Sequence, residues 1–129
     1  MKIAMKKITA RLLAMCAIST VAGVACADGD AARGKKLYEE CAACHSLERG
    51  VHALGPSLQG VFERKAGDLT DFRYSPPLKR SGIAWSAQTL DAFIADPQKE
   101  IKGNRMPYSG MPEARDRADL IEYLRGATK

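Results

Sequence analysis

The sequence predicts an all-α protein whose helices are joined by long irregular loops. Apolar residues recur at three- and four-residue steps in three separate stretches, near 30–45, 86–97 and 113–125, which is the spacing of one helix face. No stretch alternates apolar and polar residues in the manner of a half-buried strand. Between the periodic stretches, glycine and proline punctuate 46–60, 60–85 and 102–112, and loops of this length in a small domain usually have a reason.

Residues 1–27 stand apart from that pattern. Lys2, Lys6, Lys7 and Arg11 lead into the apolar run Leu12-Leu13-Ala14-Met15-Cys16-Ala17-Ile18, and the stretch closes on Ala25-Cys26-Ala27. A positive start, an apolar middle and a small-residue cleavage site make a secretory signal peptide, cleaved ahead of Asp28. Ser19, Thr20 and Gly23 interrupt the run, which falls short of the about 20 apolar residues that span a bilayer. Lipidation at Cys26 is disfavoured by Gly23, where a bulky aliphatic residue would be wanted. Four of the 20 Lys and Arg and none of the 15 Asp and Glu lie in this leader, so residues 28–129 carry 16 basic against 15 acidic side chains, a formal charge of +1. No concentrated basic face remains for a nucleic acid. Residues 28–129 suit one domain.

The first helix begins after Asp30, with Gly34, Leu37, Tyr38, Cys41 and Cys44 on one face and Lys35, Lys36, Glu39 and Glu40 between them. Gly34 is out of place there, since glycine in a helix costs about 1 kcal/mol relative to alanine; it marks close approach by another element. The helix runs into Cys41-Ala42-Ala43-Cys44-His45. Two thiols one helical turn apart reach the two vinyl groups of a single haem, and the next residue offers an imidazole to the iron, the c-type attachment pattern. A structural zinc site wants four Cys or His ligands, whereas 28–129 holds two of each, with His52 poorly spaced. A dithiol redox site would be expected near a β-α-β pattern. In an oxidising compartment a free pair would close into a disulfide; covalent haem gives the sulfurs another fate.

Beyond the motif, 46–60 reads as a loop and 60–85 has room for one short helix. Ser86 is an N-cap for a helix presenting Leu90, Phe93 and Ile94, which Pro97 ends. After the loop at 102–112, the last helix starts near Glu113 and carries Leu120, Ile121, Tyr123 and Leu124. Its acidic residues come early and Arg125 late, as the helix dipole favours. A chain this small builds a limited core, so a buried porphyrin would supply much of the surface it collapses onto. The haem-free chain is expected to be largely disordered.

The second axial ligand separates an electron carrier from a haem enzyme. Met106 and Met111 are the thioether candidates and His52 the second imidazole. Both methionines precede proline, which biases them toward extended backbone in a loop. His52 follows His45 by only seven residues, a span that at about 3.4 Å per residue must be nearly taut to pass round a porphyrin edge. Spacing ranks Met106 first, then Met111 and His52, and leaves an open site as a fourth alternative.

With these features in place, the sequence resembles class I cytochromes c of the mitochondrial and bacterial cytochrome c2 type. The resemblance covers almost all of 28–129: Gly34-Lys35-Lys36-Leu37-Tyr38 before the motif, then the stretch from Gly55-Pro56-Ser57-Leu58 to Ala66-Gly67. It continues through Tyr74, Gly82-Ile83-Ala84-Trp85, Asp96-Pro97, Gly103-Asn104-Arg105-Met106-Pro107-Tyr108 and Asp119-Leu120-Ile121-Glu122-Tyr123-Leu124. It implies a fold of crossed N- and C-terminal helices with loops wrapped around one covalent haem c. It further implies Cys41 and Cys44 as attachment points, His45 and Met106 as iron ligands, and the Pro56 carbonyl as acceptor for the His45 imidazole. By the same resemblance Arg64, Tyr74 and Trp85 bind the haem propionates, His52 staples a loop, Met111 packs, and Gly34 and Tyr38 meet Leu120 and Tyr123.

Two departures from the family pattern carry expectations of their own. Phe93 stands where a tyrosine commonly approaches the methionine sulfur, and Leu78 where an asparagine often holds a water, so this side of the haem should be drier. Positions of the family's lysine ring read Glu40, Ala53, Gln98 and Glu113, leaving mainly Lys99 and Arg105, so electrostatic steering should be weak. The function implied is a soluble periplasmic one-electron carrier and not an enzyme. It would be monomeric and dock transiently near membrane complexes, between a quinol-cytochrome c reductase-like donor and an oxidase, peroxidase or reductase.

Overall fold

The structure, a computed structural model, describes residues 29–129. The signal-peptide reading of 1–27 and residue 28 therefore lie outside the described residues. Among the described residues six helices form: α1 (Ala31–Leu37), α2 (Glu39–Ala42), α3 (Pro76–Arg80), α4 (Ala87–Ala95), α5 (Pro97–Glu100) and α6 (Ala114–Ala127), with a 3-10 turn at Val61–Glu63. Among the described residues there is no strand, only an isolated bridge between Lys65 and Ala84.

Local chemistry explains the boundaries. The Asp30 side chain accepts from the N–H groups of Ala32 and Arg33 and starts α1. The expected single helix into the motif is two short ones, because Cys41 N–H bonds the Tyr38 carbonyl three residues back, at 2.8 Å, and tightens the turn there. Pro76 and Pro77, punctuation in the sequence, open α3, where a missing N–H costs nothing. Ser86 and Thr89 exchange bonds as a capping box at the start of α4. Pro97 closes α4 and opens α5, a helix that periodicity did not reveal, capped by the Asp96 side chain on Lys99 N–H.

The core forms where α1 and α6 cross. A Cβ on Gly34 would collide with the Asp119 carbonyl oxygen and come within 2.8 Å of Tyr123 Cβ, so only glycine lets the two backbones meet. The buried Asp119 carboxylate accepts from Asp30 N–H at 2.7 Å and from Arg33, which also pairs with Asp116. Those partners, the Asp30 N–H first, hold Asp119 below the usual carboxylate range. Tyr38 stacks obliquely on Tyr123, ring centroids 5.5 Å apart, and joins Val61, Leu90, Ile94, Met111, Leu120, Ile121 and Leu124 in one buried cluster. Arg117 ties α6 to α4 through Asp91 (2.7 Å) and to the preceding loop through the carbonyls of Met111 (2.9 Å) and Pro112 (2.7 Å). No helix among the described residues is long and apolar enough to cross a membrane.

Candidate haem site

The loops leave a cavity of about 330 Å³ between the helices. Cys41, Cys44, His45, Pro56, Arg64, Tyr74, Trp85 and Met106, the eight residues singled out in the sequence, all line it. Met111 does not: it is 6 % exposed and belongs to the core cluster, with its N–H on the Ile94 carbonyl at 2.9 Å. His52 is likewise outside the cavity lining.

His45 is positioned from several directions. Its Nδ1 lies 2.7 Å from the Pro56 carbonyl. A carbonyl only accepts, so Nδ1 carries the proton and Nε2 keeps its lone pair. Burial lowers the imidazole pKa, with the Pro56 bond opposing, so the ring is neutral at physiological pH, the form that can ligate a metal. Gly55 lies flat against the ring: a Cβ there would strike Cε1 and come within 2.7 Å of Nδ1 and 2.8 Å of Nε2. The His45 carbonyl accepts from the Tyr38 hydroxyl at 2.8 Å, which couples this backbone to the helix crossing. Burial pushes the Cys41 thiol up to about 11, with Glu40 and Cys44 adding to it.

The loop after His45 is pinned through Ser57, which is 1 % exposed. Its N–H donates to His52 Nδ1 at 3.0 Å, its hydroxyl to the Glu48 carbonyl at 2.6 Å, and its carbonyl accepts from Arg64 at 2.8 Å. With Nδ1 accepting, the His52 ring hydrogen is on Nε2, which sits 3.1 Å from Asp71 Oδ1 but off the line of a straight hydrogen bond. His52 and, less strongly, Arg64 hold the Asp71 carboxyl below its ordinary range.

Arg64, half-buried, has its pKa lowered by desolvation and raised by Tyr74, Asp68 and Asp71. Burial raises the Tyr74 hydroxyl pKa, and the ring meets Phe72 edge-on at 4.9 Å. Trp85 packs on Phe93 with centroids 5.1 Å apart. Phe93 and Leu78, the two departures from the family pattern, both line the cavity.

Two features escaped sequence reading. Asn104 is 7 % exposed and its Oδ1 accepts from Met106 N–H at 2.9 Å. A short amide bonding the backbone two residues on is an Asx turn, and Gly103-Asn104 ahead of Met106 was a signal for it. Tyr108, whose hydroxyl donates to Glu40 at 3.3 Å, has its pKa raised to about 12, mostly by burial and then by Glu40. That pairing joins residues far apart in the chain, and no local pattern announces it.

The lining suits a covalent porphyrin: two thiols one turn apart, a neutral imidazole with one nitrogen free, a thioether, a desolvated guanidinium able to pair a buried carboxylate, and apolar walls between them. Comparison with known proteins agrees. The family model described as Cytochrome c matches residues 31–128. Cytochrome c of Euglena viridis is 40% identical over 98 residues, covering 75% of this chain and 96% of the relative. Cytochrome c2 iso-2 of Magnetospirillum fulvum is 46% identical over 85 residues, 66% of this chain and 88% of its own. Cytochrome c2 of Rhodoblastus acidophilus is 41% identical over 97 residues, 74% and 91% respectively.

Proposed function

Because the chain belongs to the cytochrome c family, whose members carry one covalent haem c and transfer electrons without catalysing a substrate reaction, we propose that it is an exported carrier with His45 and Met106 as iron ligands. The observation that carries this reading is that one cavity is lined by both thiols, His45, Met106, Arg64, Tyr74 and Trp85. Bound haem supplies one-electron exchange between ferric and ferrous iron. Cys41 and Cys44 tether the group, and Pro56 fixes the His45 tautomer. Arg64, Tyr74 and Trp85 serve its propionates. With imidazole and thioether both engaged, no position stays open to a substrate. The thioether and the apolar walls favour a high potential.

The leader directs export, and cleavage ahead of Asp28 releases the mature chain to the periplasm. Electrons arrive from a quinol-oxidising complex and leave to an oxidase, peroxidase or reductase by transient docking of a monomer. Glu40, Ala53, Gln98 and Glu113 are exposed, as are Lys99 and Arg105, so the docking face is of mixed charge. Its association with an acidic partner should change little between low and physiological salt; a steep fall would remove that part of the reading. Met106→Ala tests the ligand set: the optical spectrum and midpoint potential should both change, and if neither does, Met106 is not a ligand. An exported protein whose intact mass still includes residues 1–27 would rule out the cleaved leader.

A further inference from the structure

The loop at 102–112 must hold the thioether in place with little backbone help. Among the described residues, its N–H groups make two backbone bonds, Asn104 to the Ile101 carbonyl and Met111 to the Ile94 carbonyl, with none between them. Side-chain amides take over. Asn104 Nδ2 donates to the carbonyls of Pro97 (2.7 Å) and Ile101 (2.9 Å), while its Oδ1 receives Met106 N–H. Gln98 brackets the same turn, its Nε2 donating to the Asn104 carbonyl at 2.9 Å and its Oε1 accepting from Gly103 N–H at 3.2 Å. Five hydrogen bonds from two neutral side chains thus fix the backbone on the N-terminal side of Met106, and α5 is their anchor.

We propose that Asn104 and Gln98 are positioning residues, an amide clamp that keeps the Met106 thioether in the haem cavity and so excludes outside ligands from the iron. The inference rests on the reading of Met106 as a ligand. A neutral thioether adds no charge attraction of its own, so its residence depends on how seldom the loop opens. An outside ligand must wait for that opening, and its apparent affinity is its intrinsic affinity reduced by the open fraction. Removing hydrogen bonds present only in the closed loop raises that fraction.

The test is imidazole titration of the ferric holoprotein, read optically, together with hydrogen exchange at the Met106 amide. Asn104→Leu should raise imidazole affinity about ten-fold and Gln98→Leu about three-fold, with faster exchange at Met106 in both. Thr128→Val is the control, since it deletes a buried hydroxyl bond to the Leu124 carbonyl within α6 and its C-cap. If the amide variants gain no more affinity than this control, the clamp is refuted. Gln98 is exposed, so Gln98→Leu decides the matter alone should Asn104→Leu yield no holoprotein. Met106→Ala separates the two readings. Raised affinity there with none in the amide variants overturns only the clamp, whereas unchanged affinity in Met106→Ala removes the ligand and the clamp together.

Discussion

The segments that carry His45 and Met106 line one cavity but are held there by different means. Around His45 the contacts are close and mostly main-chain: Gly55 flat on the ring, the Pro56 carbonyl on Nδ1, the Tyr38 hydroxyl on the carbonyl. Around Met106 they are side-chain amides reaching across a loop. Steric fit of that kind admits few substitutions, whereas amide bonds can be removed one at a time. The imidazole side is therefore the fixed half of the site and the thioether side the adjustable one.

The largest effect expected from this contrast is at Gly55. Gly55→Ala drives a methyl into the imidazole, and overpacking of this kind costs about 1–3 kcal/mol, so the thermal midpoint of the holoprotein should fall by about 10 °C; a midpoint within a degree of wild type would mean the ring is not tightly held. A smaller effect follows from the Asp71 carboxylate, which faces His52 on the His45 side. The folded-state pKa of Asp71 is depressed, so the stability it contributes is present above the unfolded carboxylate range near pH 4 and is lost as pH falls through the lower folded value. Asp71→Asn should thus melt below wild type at pH 7, with the gap closing as pH falls below the ordinary carboxylate range. Asn104 and Gln98 do not titrate, so Gln98→Leu should show a gap that does not vary with pH over the same range. A gap for Asp71→Asn that persists in acid would break the contrast.

Phe93 lines the cavity and packs on Trp85, so Phe93→Tyr brings a hydroxyl to that wall. The midpoint potential should move by more than about 10 mV, which for one electron is about 0.2 kcal/mol; a smaller shift would mean that this wall does not tune the iron. The smallest effect belongs to Tyr108→Phe. Its bond to exposed Glu40 is long, so unfolding should change by no more than about 0.5 kcal/mol. A larger loss would show the Met106 loop to be strapped at both ends.

Much of this was legible in the chain itself. The Cys41 to His45 spacing, the helix glycine at 34 and the cap at Ser86 each follow from a local rule, and each has its structural counterpart. The family resemblance chose among Met106, Met111 and His52, which spacing had left open. Less legible were helix limits set by hydrogen-bond details, such as the tightening at Tyr38 and the helix opened by Pro97. Least legible were partners brought together only by the fold, among them Tyr108 with Glu40 and Arg117 with Asp91. Gln98 shows the limit of resemblance: in the sequence it counted as a missing lysine, and in the structure it has work of its own.

Tyr38 touches Tyr123 with its ring and the His45 carbonyl with its hydroxyl, so the last helix determines how firmly the imidazole-bearing backbone is set. A change at Tyr123 would therefore be felt at the His45 backbone as well as at the helix crossing, with the two ends of the Tyr38 side chain as the lever between them.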